Sequence, residues 1–276
     1  MFYSDLHMHS NYSDGNLTIK EILHHSTNLK LKAISITDHD TIDGVKEAVA
    51  NCDNYKVEII PGIEFSTVYK GEEIHILGYL FELTDEPFSE FIQNMQTQRI
   101  HRAQKMIEVF NINGIDISED DLLTVSKGNS IGRPHFAQML IRKGYADSIN
   151  DAFKKYMLPG SPYYVERFKL SPQEAIKSIH NAGGISVIAH PGLIKTQNLI
   201  EDIISMKIDG IEVYHYKHTS QNNVEYYHMA KNNNLLITGG SDCHSSDPTR
   251  KPFIGTVKIP YTYVENMKEA KVLKCQ

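Results

Sequence analysis

Seven short apolar segments divide this chain, and most of them stop at or beside a histidine or a carboxylate. They are "FYSDLH" (2–7), "KAISITDHD" (32–40), "VEIIPGIEF" (57–65), "EIHILGYL" (73–80), "ISVIAHPG" (185–192), "DGIEVYH" (209–215) and "LLITGGSDCH" (235–244). Each is rich in Ile, Val, Leu or Tyr and ends in Gly, Pro or polar residues, the pattern of a short buried strand. Helical patterns lie between most of them. "LTIKEILHHSTNLKL" opens with Thr18 and Glu21 at capping-box spacing. "SPQEAIKSIHNAGG" has Ser171 as N-cap, Pro172 at N1, Glu174 at N3 and a stop at Gly183. Such alternation predicts an α/β fold of parallel strands joined by crossover helices.

Residues 84–165 break the rhythm. "EPFSEFIQNMQTQRIHRAQKMIEVFNING" carries Phe88, Phe91, Ile92, Met95, Met106, Ile107 and Phe110 at helical spacing and ends at Gly114. Shorter helical patterns follow at 118–126, 134–143 and 148–157. The expected organisation is a β/α scaffold made of 1–83 and 166–276, interrupted by an all-helical insertion, 84–165.

The chemistry sits at the strand ends. His7 and His9 close the first segment, one residue apart, so a strand would put both on one face. Asp14 follows in the loop. Asp38 and His39 end the second segment, Glu64 the third, His190 the fifth, and Asp242 and His244 the last. A parallel β/α barrel builds its active site along that edge. His75 is the exception, lying early in its segment, so either that strand runs differently or its register needs correction. Six histidines with Asp14, Glu64 and Asp242 make nine ligand candidates. One ion with an open position needs fewer, so two or three divalent ions are expected. Asp38, beside a ligand, is expected to orient a histidine from behind. Cys243, between two candidates, is expected to pack, and His24, His25, His180 and His228 to be exposed or packed on helices.

Composition narrows the function classes. Cys52, Cys243 and Cys275 are odd in number and scattered, which excludes a disulfide framework and suits a reducing cytoplasm. No apolar run reaches the roughly 18 residues of a membrane span. No secretory leader is expected, because the first residues lack a basic start and a long apolar run. The net charge of −6 argues against binding long duplex nucleic acid. Yet between Arg99 and Lys169 there are 11 Lys and Arg against 8 Asp and Glu, where the rest has 17 against 26. The positive balance is therefore local to that stretch.

"DLHMHSNYSDG", "SITDHD", "PGIEFS", the His75 segment, "VIAHPG" and "GGSDCH" together resemble the polymerase-and-histidinol-phosphatase (PHP) family, in the family's order and over nearly the whole chain. The resemblance implies a distorted seven-stranded β/α barrel with a trinuclear site for Mn, Fe or Zn. It implies one ion on His7, His9, Glu64 and Asp242, a second on Glu64, His75 and His190, and a third on Asp14, His39 and His244. The insertion and "GRPHFA" (132–137) resemble the branch that holds nucleoside 3′,5′-bisphosphate phosphatases and 5′-to-3′ oligoribonucleases.

The residues support that branch independently. Arg133 and His135 flank Pro134 at a helix start, where free N–H groups and the dipole attract anions and Arg133 adds a bidentate phosphate donor. Arg99, Arg102 and Lys105 form a stripe that either guides a polyanion or faces solvent. The expected reaction is hydrolysis of a phosphate ester of a small nucleotide or short oligonucleotide. A water between two ions would lose its proton near neutral pH and attack phosphorus. Arg133 and His135 would neutralise phosphate oxygens, and His215 or His218 would bind substrate, with His218 supplying the leaving-group proton. A histidinol-phosphate phosphatase, a metal-bound regulatory module and a metallo-amidohydrolase are the competing readings.

Overall fold

The structure, a computed structural model, describes residues 2–125, 130–166, 168–245, 247–249 and 251–274. In chain order the elements are β1 (Tyr3–Asp5), α1 (Ile19–Asn28), β2 (Ala33–Ile34), α2 (Asp43–Asn51), β3 (Glu58–Ile59), β4 (Gly62–Tyr69) and β5 (Glu72–Tyr79). Then come α3 (Glu86–Ile112), α4 (Glu119–Leu123), α5 (Arg133–Arg142), α6 (Ile149–Ala152) and α7 (Pro172–Asn181). The chain closes with β6 (Ile185–Ile188), α8 (Asn198–Ser205), β7 (Gly210–His215), α9 (Ser220–Asn232), β8 (Leu236–Gly240), β9 (Ile259–Pro260) and α10 (Thr262–Lys274). The fold is mixed α/β. Its described strands form two sheets, ordered β3-β2-β1-β9 and β4-β5-β6-β7-β8.

Local chemistry explains the boundaries. Thr18 and Glu21 close a reciprocal capping box on α1, and Ser171 and Glu174 do the same on α7. Pro61 lacks the N–H a ladder requires, and the expected strand 57–65 divides beside it into β3 and β4. Glu64 is therefore the third residue of a long strand, not the end of a short one.

The expectation of parallel strands throughout is also corrected. β5 runs antiparallel to both β4 and β6. Only Lys70 and Gly71 separate β4 from β5, both at positive φ (48° and 83°), as a two-residue hairpin turn demands. The reversal explains His75. It sits near the start of β5, and in a reversed strand that end lies at the site edge, opposite Ser66.

Most apolar side chains of the strands and their covering helices share one core, built on residues such as Ile34, Phe65, Ile76, Ile188 and Ile211. A second cluster, centred on Phe110, Phe136, Leu140 and Met157, belongs to residues 103–165. The 27-residue α3 serves both, giving Phe88, Ile92 and Met95 to the first and Ala103, Met106 and Phe110 to the second. The last residue of the pattern 118–126 and Cys275 lie outside the described residues. The pattern 148–157 becomes α6 followed by a π turn at Phe153–Met157.

Candidate metal centre

All nine ligand candidates converge on one edge of the two sheets. Glu64 is their hub, fully buried on β4. Its Oε2 lies 3.3 Å from His7 Nε2, 3.1 Å from His9 Nε2 and 3.3 Å from His39 Nδ1. Its Oε1 lies 2.8 Å from His75 Nδ1 and 3.0 Å from His190 Nε2. Asp242 Oδ1 is 3.2 Å from His9 Nε2, and Asp14 Oδ1 is 3.2 Å from His244 Nε2.

Three overlapping donor groups result: His7, His9, Glu64 and Asp242; His9, Asp14, His39 and His244; and His39, Glu64 and His75. His190 was expected beside His75 and lies on the same Glu64 oxygen, but His39 takes its place in the third group. Backbone strain helps the convergence. His190 (φ 29°) and Asp242 (φ 52°) both hold the left-handed region that L residues avoid. The Asp242 N–H donates to His7 O at 2.7 Å and the His190 N–H to Glu212 Oε2 at 2.7 Å, which fixes both turns.

The donor set fits divalent ions. Both ring nitrogens of His9 and Asp14 Oδ1 are buried and make no hydrogen bond. Burial of an unpaired polar atom is costly, so such a cluster calls for a partner that accepts lone pairs. Burial works against ionising Glu64, Asp14 and Asp242. The imidazoles around them outweigh it and hold all three well below the usual carboxylate range. Burial pushes His39 down to about 3, so its ring is neutral and able to ligate. His75 and His244 are also desolvated, but the carboxylates facing them raise each to about 10. A metal ion would take the place of those protons.

Several outer residues hold this arrangement. Glu212 was not anticipated from the sequence. It is fully buried on β7, with Oε1 3.0 Å from His7 Nδ1, and so fixes that ring's tautomer. A single Glu between Ile211 and Val213 in an apolar segment was the signal. Asp38 does not orient a histidine through a hydrogen bond. It accepts from Ser10 N (2.7 Å), Ser10 Oγ (2.6 Å) and Ser13 Oγ (2.5 Å), and thereby shapes the loop that carries Asp14. Cys243 is packed in the core, as expected, with its thiol pushed up to about 12 by burial.

The substrate-side residues differ more from expectation. His135 is buried and engaged at both nitrogens: the Gly132 N–H donates to Nδ1 at 3.0 Å, and Nε2 lies 2.8 Å from Ser13 O. It ties the insertion to the Asp14 loop and has no nitrogen left for phosphate. His218 Nδ1 donates to Val213 O at 2.8 Å, and its Nε2 accepts from Gly192 N at 3.2 Å. Burial also lowers its pKa, so it is not placed as a proton donor. His215 Nε2 lies 3.2 Å from Asp242 Oδ2 and steadies that carboxylate.

Arg99 does not belong to a solvated stripe. Its Nε donates to Asp40 Oδ2 at 2.7 Å and its NH2 to Ser66 Oγ at 3.1 Å. Arg102 donates twice to Val165 O, at 3.1 and 3.0 Å. Lys105 is exposed.

A cleft of about 210 Å³ opens from Asp14, His39 and His75 toward the insertion. It is lined there by Gln98, Arg102, Arg133, Phe153 and Phe168. Arg133 lies at its wall, with its guanidinium carbon 5.6 Å from the Phe153 ring centroid. No described helix is long and apolar enough to cross a membrane.

Known proteins resemble this chain in sequence and shape. The PHP domain family model matches residues 5–166. The 5′-3′ exoribonuclease Rnm of Escherichia coli is 31% identical over 251 residues, 88% of this chain and 86% of that protein. The 3′,5′-nucleoside bisphosphate phosphatase of Chromobacterium violaceum is 30% identical over 247 residues, 87% of each chain. A Bifidobacterium adolescentis crystal structure, provisionally described as a metal-dependent phosphoesterase, superposes with a TM-score of 0.85 at 28% identity, covering 96% of this chain and 94% of its own.

Proposed function

The chain belongs to the PHP domain family, and from that premise we propose that it is a divalent-metal-dependent phosphoesterase whose substrates are nucleoside 3′,5′-bisphosphates or short 5′-phosphorylated oligoribonucleotides. It is a hydrolase of phosphate esters. The observation that carries the reading is the five-imidazole ring around Glu64 at the floor of a cleft walled by Arg133 and Phe153.

Three ions of Mn, Fe or Zn suit the donor set. His7, His9, Glu64 and Asp242 would hold one, Glu64, His75 and His190 a second, and Asp14, His39 and His244 a third. When bound, such ions act as Lewis acids and make water a nucleophile near neutral pH. The chain's own residues do the rest. Arg133 offers a planar fork to phosphate oxygens. Phe153 and Phe168 offer faces on which a base can stack. Glu212, His215 and Asp38 hold ligands or their loops in place. His135 and His218 position backbone rather than move protons.

The cleft favours nucleotides over histidinol phosphate. An amine-bearing substrate wants an available carboxylate, but Asp40 and Glu73, which line this cleft, are paired with Arg99 and Arg133, and Asp14 faces the ion site. At about 210 Å³ it falls below the roughly 300–1,000 Å³ of ordinary ligand pockets, which suits one nucleotide unit at a time.

Residues 84–165 then act as a cap on a barrel formed by 1–83 and 166–276. The isolated parallel bridges Met8–Cys243 and His39–Glu64 join the two sheets and support reading them as one distorted seven-stranded ring. A reducing, cytoplasmic setting suits the free thiols Cys52 and Cys243.

The test is product analysis with Mn²⁺-loaded protein given adenosine 3′,5′-bisphosphate, a 5′-phosphorylated RNA trinucleotide and histidinol phosphate, with His9→Ala as control. Turnover of the nucleotides, lost in the control, is expected. Turnover of histidinol phosphate alone would overturn the substrate assignment, and turnover of none would overturn the enzymatic one.

A further inference from the structure

The centre and the cap meet on one carboxylate. Glu73, on β5, places Oε1 3.0 Å from His75 Nε2 and Oε2 2.5 Å from Arg133 NH2. His75 reaches Glu64 with its other nitrogen, Nδ1, at 2.8 Å. Arg133 begins α5 and packs its guanidinium on Phe153, so its position reports that of the cap. A continuous polar path therefore runs from Glu64 through His75 and Glu73 to Arg133.

Each contact has a physical consequence. With Nε2–H donated to Glu73, the His75 ring is fixed in rotation, and Nδ1 is the nitrogen left facing Glu64, where it would ligate an ion in place of its proton. With one arm of its fork on Glu73, Arg133 is held over the cleft instead of turning to solvent. Glu73 is partly exposed, so a phosphate entering the cleft competes with it for Arg133.

We propose that Glu73 is a positioning residue that couples the cap to the metal centre: it orients His75 as a ligand and anchors Arg133 over the cleft with the same carboxylate. The inference rests on the reading of His75 as a ligand given above. It adds a link that the sequence did not announce, because Glu73 stands two residues before a ligand on an otherwise ordinary strand.

The experiment uses the full chain and Mn²⁺ alone as probe. Affinity is read by competition with a chelator, and cap order by hydrogen exchange of residues 130–142 with and without Mn²⁺. In the wild-type protein Mn²⁺ is expected to slow exchange in that segment. Glu73→Ala should weaken Mn²⁺ binding by about 10–100-fold, the usual effect of removing an outer partner of a ligating histidine, and should abolish the Mn²⁺-dependent protection. Glu73→Gln keeps an acceptor for His75 but loses the ion pair. It should recover most of the affinity and none of the protection. A merely structural role would not separate the two readouts.

Unchanged affinity and protection in Glu73→Ala would overturn the coupling while leaving the metal centre intact. A wild-type protein that binds no Mn²⁺ would overturn both. Should Glu73→Ala fail to fold, retained protection in a folded Glu73→Gln overturns the proposal by itself.

Discussion

The candidate metal centre and the helical insertion are built on opposite plans. At the centre, seven ionisable side chains crowd around two hubs, Glu64 on β4 and Asp242 just beyond β8, and most of them are held by more than one neighbour. In the insertion, the C-terminal half of the long α3 and the four shorter helical segments described there gather around a small aromatic cluster of Phe110, Phe136, Tyr156 and Tyr163 and send only a few side chains to the cleft. The centre's geometry is over-determined, as preorganised chemistry requires. The cap's geometry depends on one modest core and a few anchors, such as His135 on Ser13 O and Arg133 on Glu73. On the function proposed above, the first region fixes what reaction is possible and the second decides what reaches it.

Removing the hub should have the largest effect. Glu64→Gln neutralises the carboxylate that five histidines face. It should lower both metal content and turnover by more than the roughly 10–100-fold typical of an outer partner. Metal analysis of the purified variant checks this, and full metal content would break the contrast drawn above.

Phe110→Ala tests the independence of the cap. A fully buried Phe in a small core should cost about 3–5 kcal/mol. The expected result is an early, separate unfolding step of the cap in denaturant with Mn²⁺ stoichiometry preserved. A single cooperative transition would show that α3 fuses the two cores into one unit.

Glu212→Ala should weaken Mn²⁺ binding by about 10–100-fold through loss of the hydrogen bond to His7, without altering cap exchange. Equal changes in both would show that the rigid edge and the cap are less separable than the packing indicates.

The smallest effect belongs to Asp121 on α4. The Lys143 and Ser118 side chains hold its carboxyl down to about 2 from 3.8. A depressed carboxylate contributes stability above its unfolded pKa and loses it as pH falls through the folded one. The contribution is therefore present at neutral pH and fades from about pH 4 toward 2. Asp121→Asn should cost under about 1 kcal/mol at neutral pH after solvent screening, and nothing near pH 2. Thermal melts across that range check it.

The legibility of these regions differed for the same reason. Ligands such as His7, His9, Asp242 and His244 were readable because a strand end and its loop place them locally. The boxes at Thr18–Glu21 and Ser171–Glu174 were readable because capping spans three residues. What depended on distant chain was not. Arg99 meets Asp40 across 59 residues, and Glu212 meets His7 across 205. The tasks of His135 and His218 turned on which backbone groups folded against their rings. The early place of His75 in its segment left the direction of β5 open, although "YKGEE" carries a Lys-Gly turn signal, because strand–helix alternation on either side favoured parallel pairing.

That turn sets a tolerance that the rest of the surface does not share. Loops on a protein's exterior usually accept an added or deleted residue. Between Tyr69 and Glu72 a single extra residue that shifted the pairing by one step would present the opposite face of β5. His75 and Glu73 would then swing away from Glu64 and Arg133 together. The exposed link of Lys70 and Gly71 is thus a place where a change in length would act as a change in chemistry.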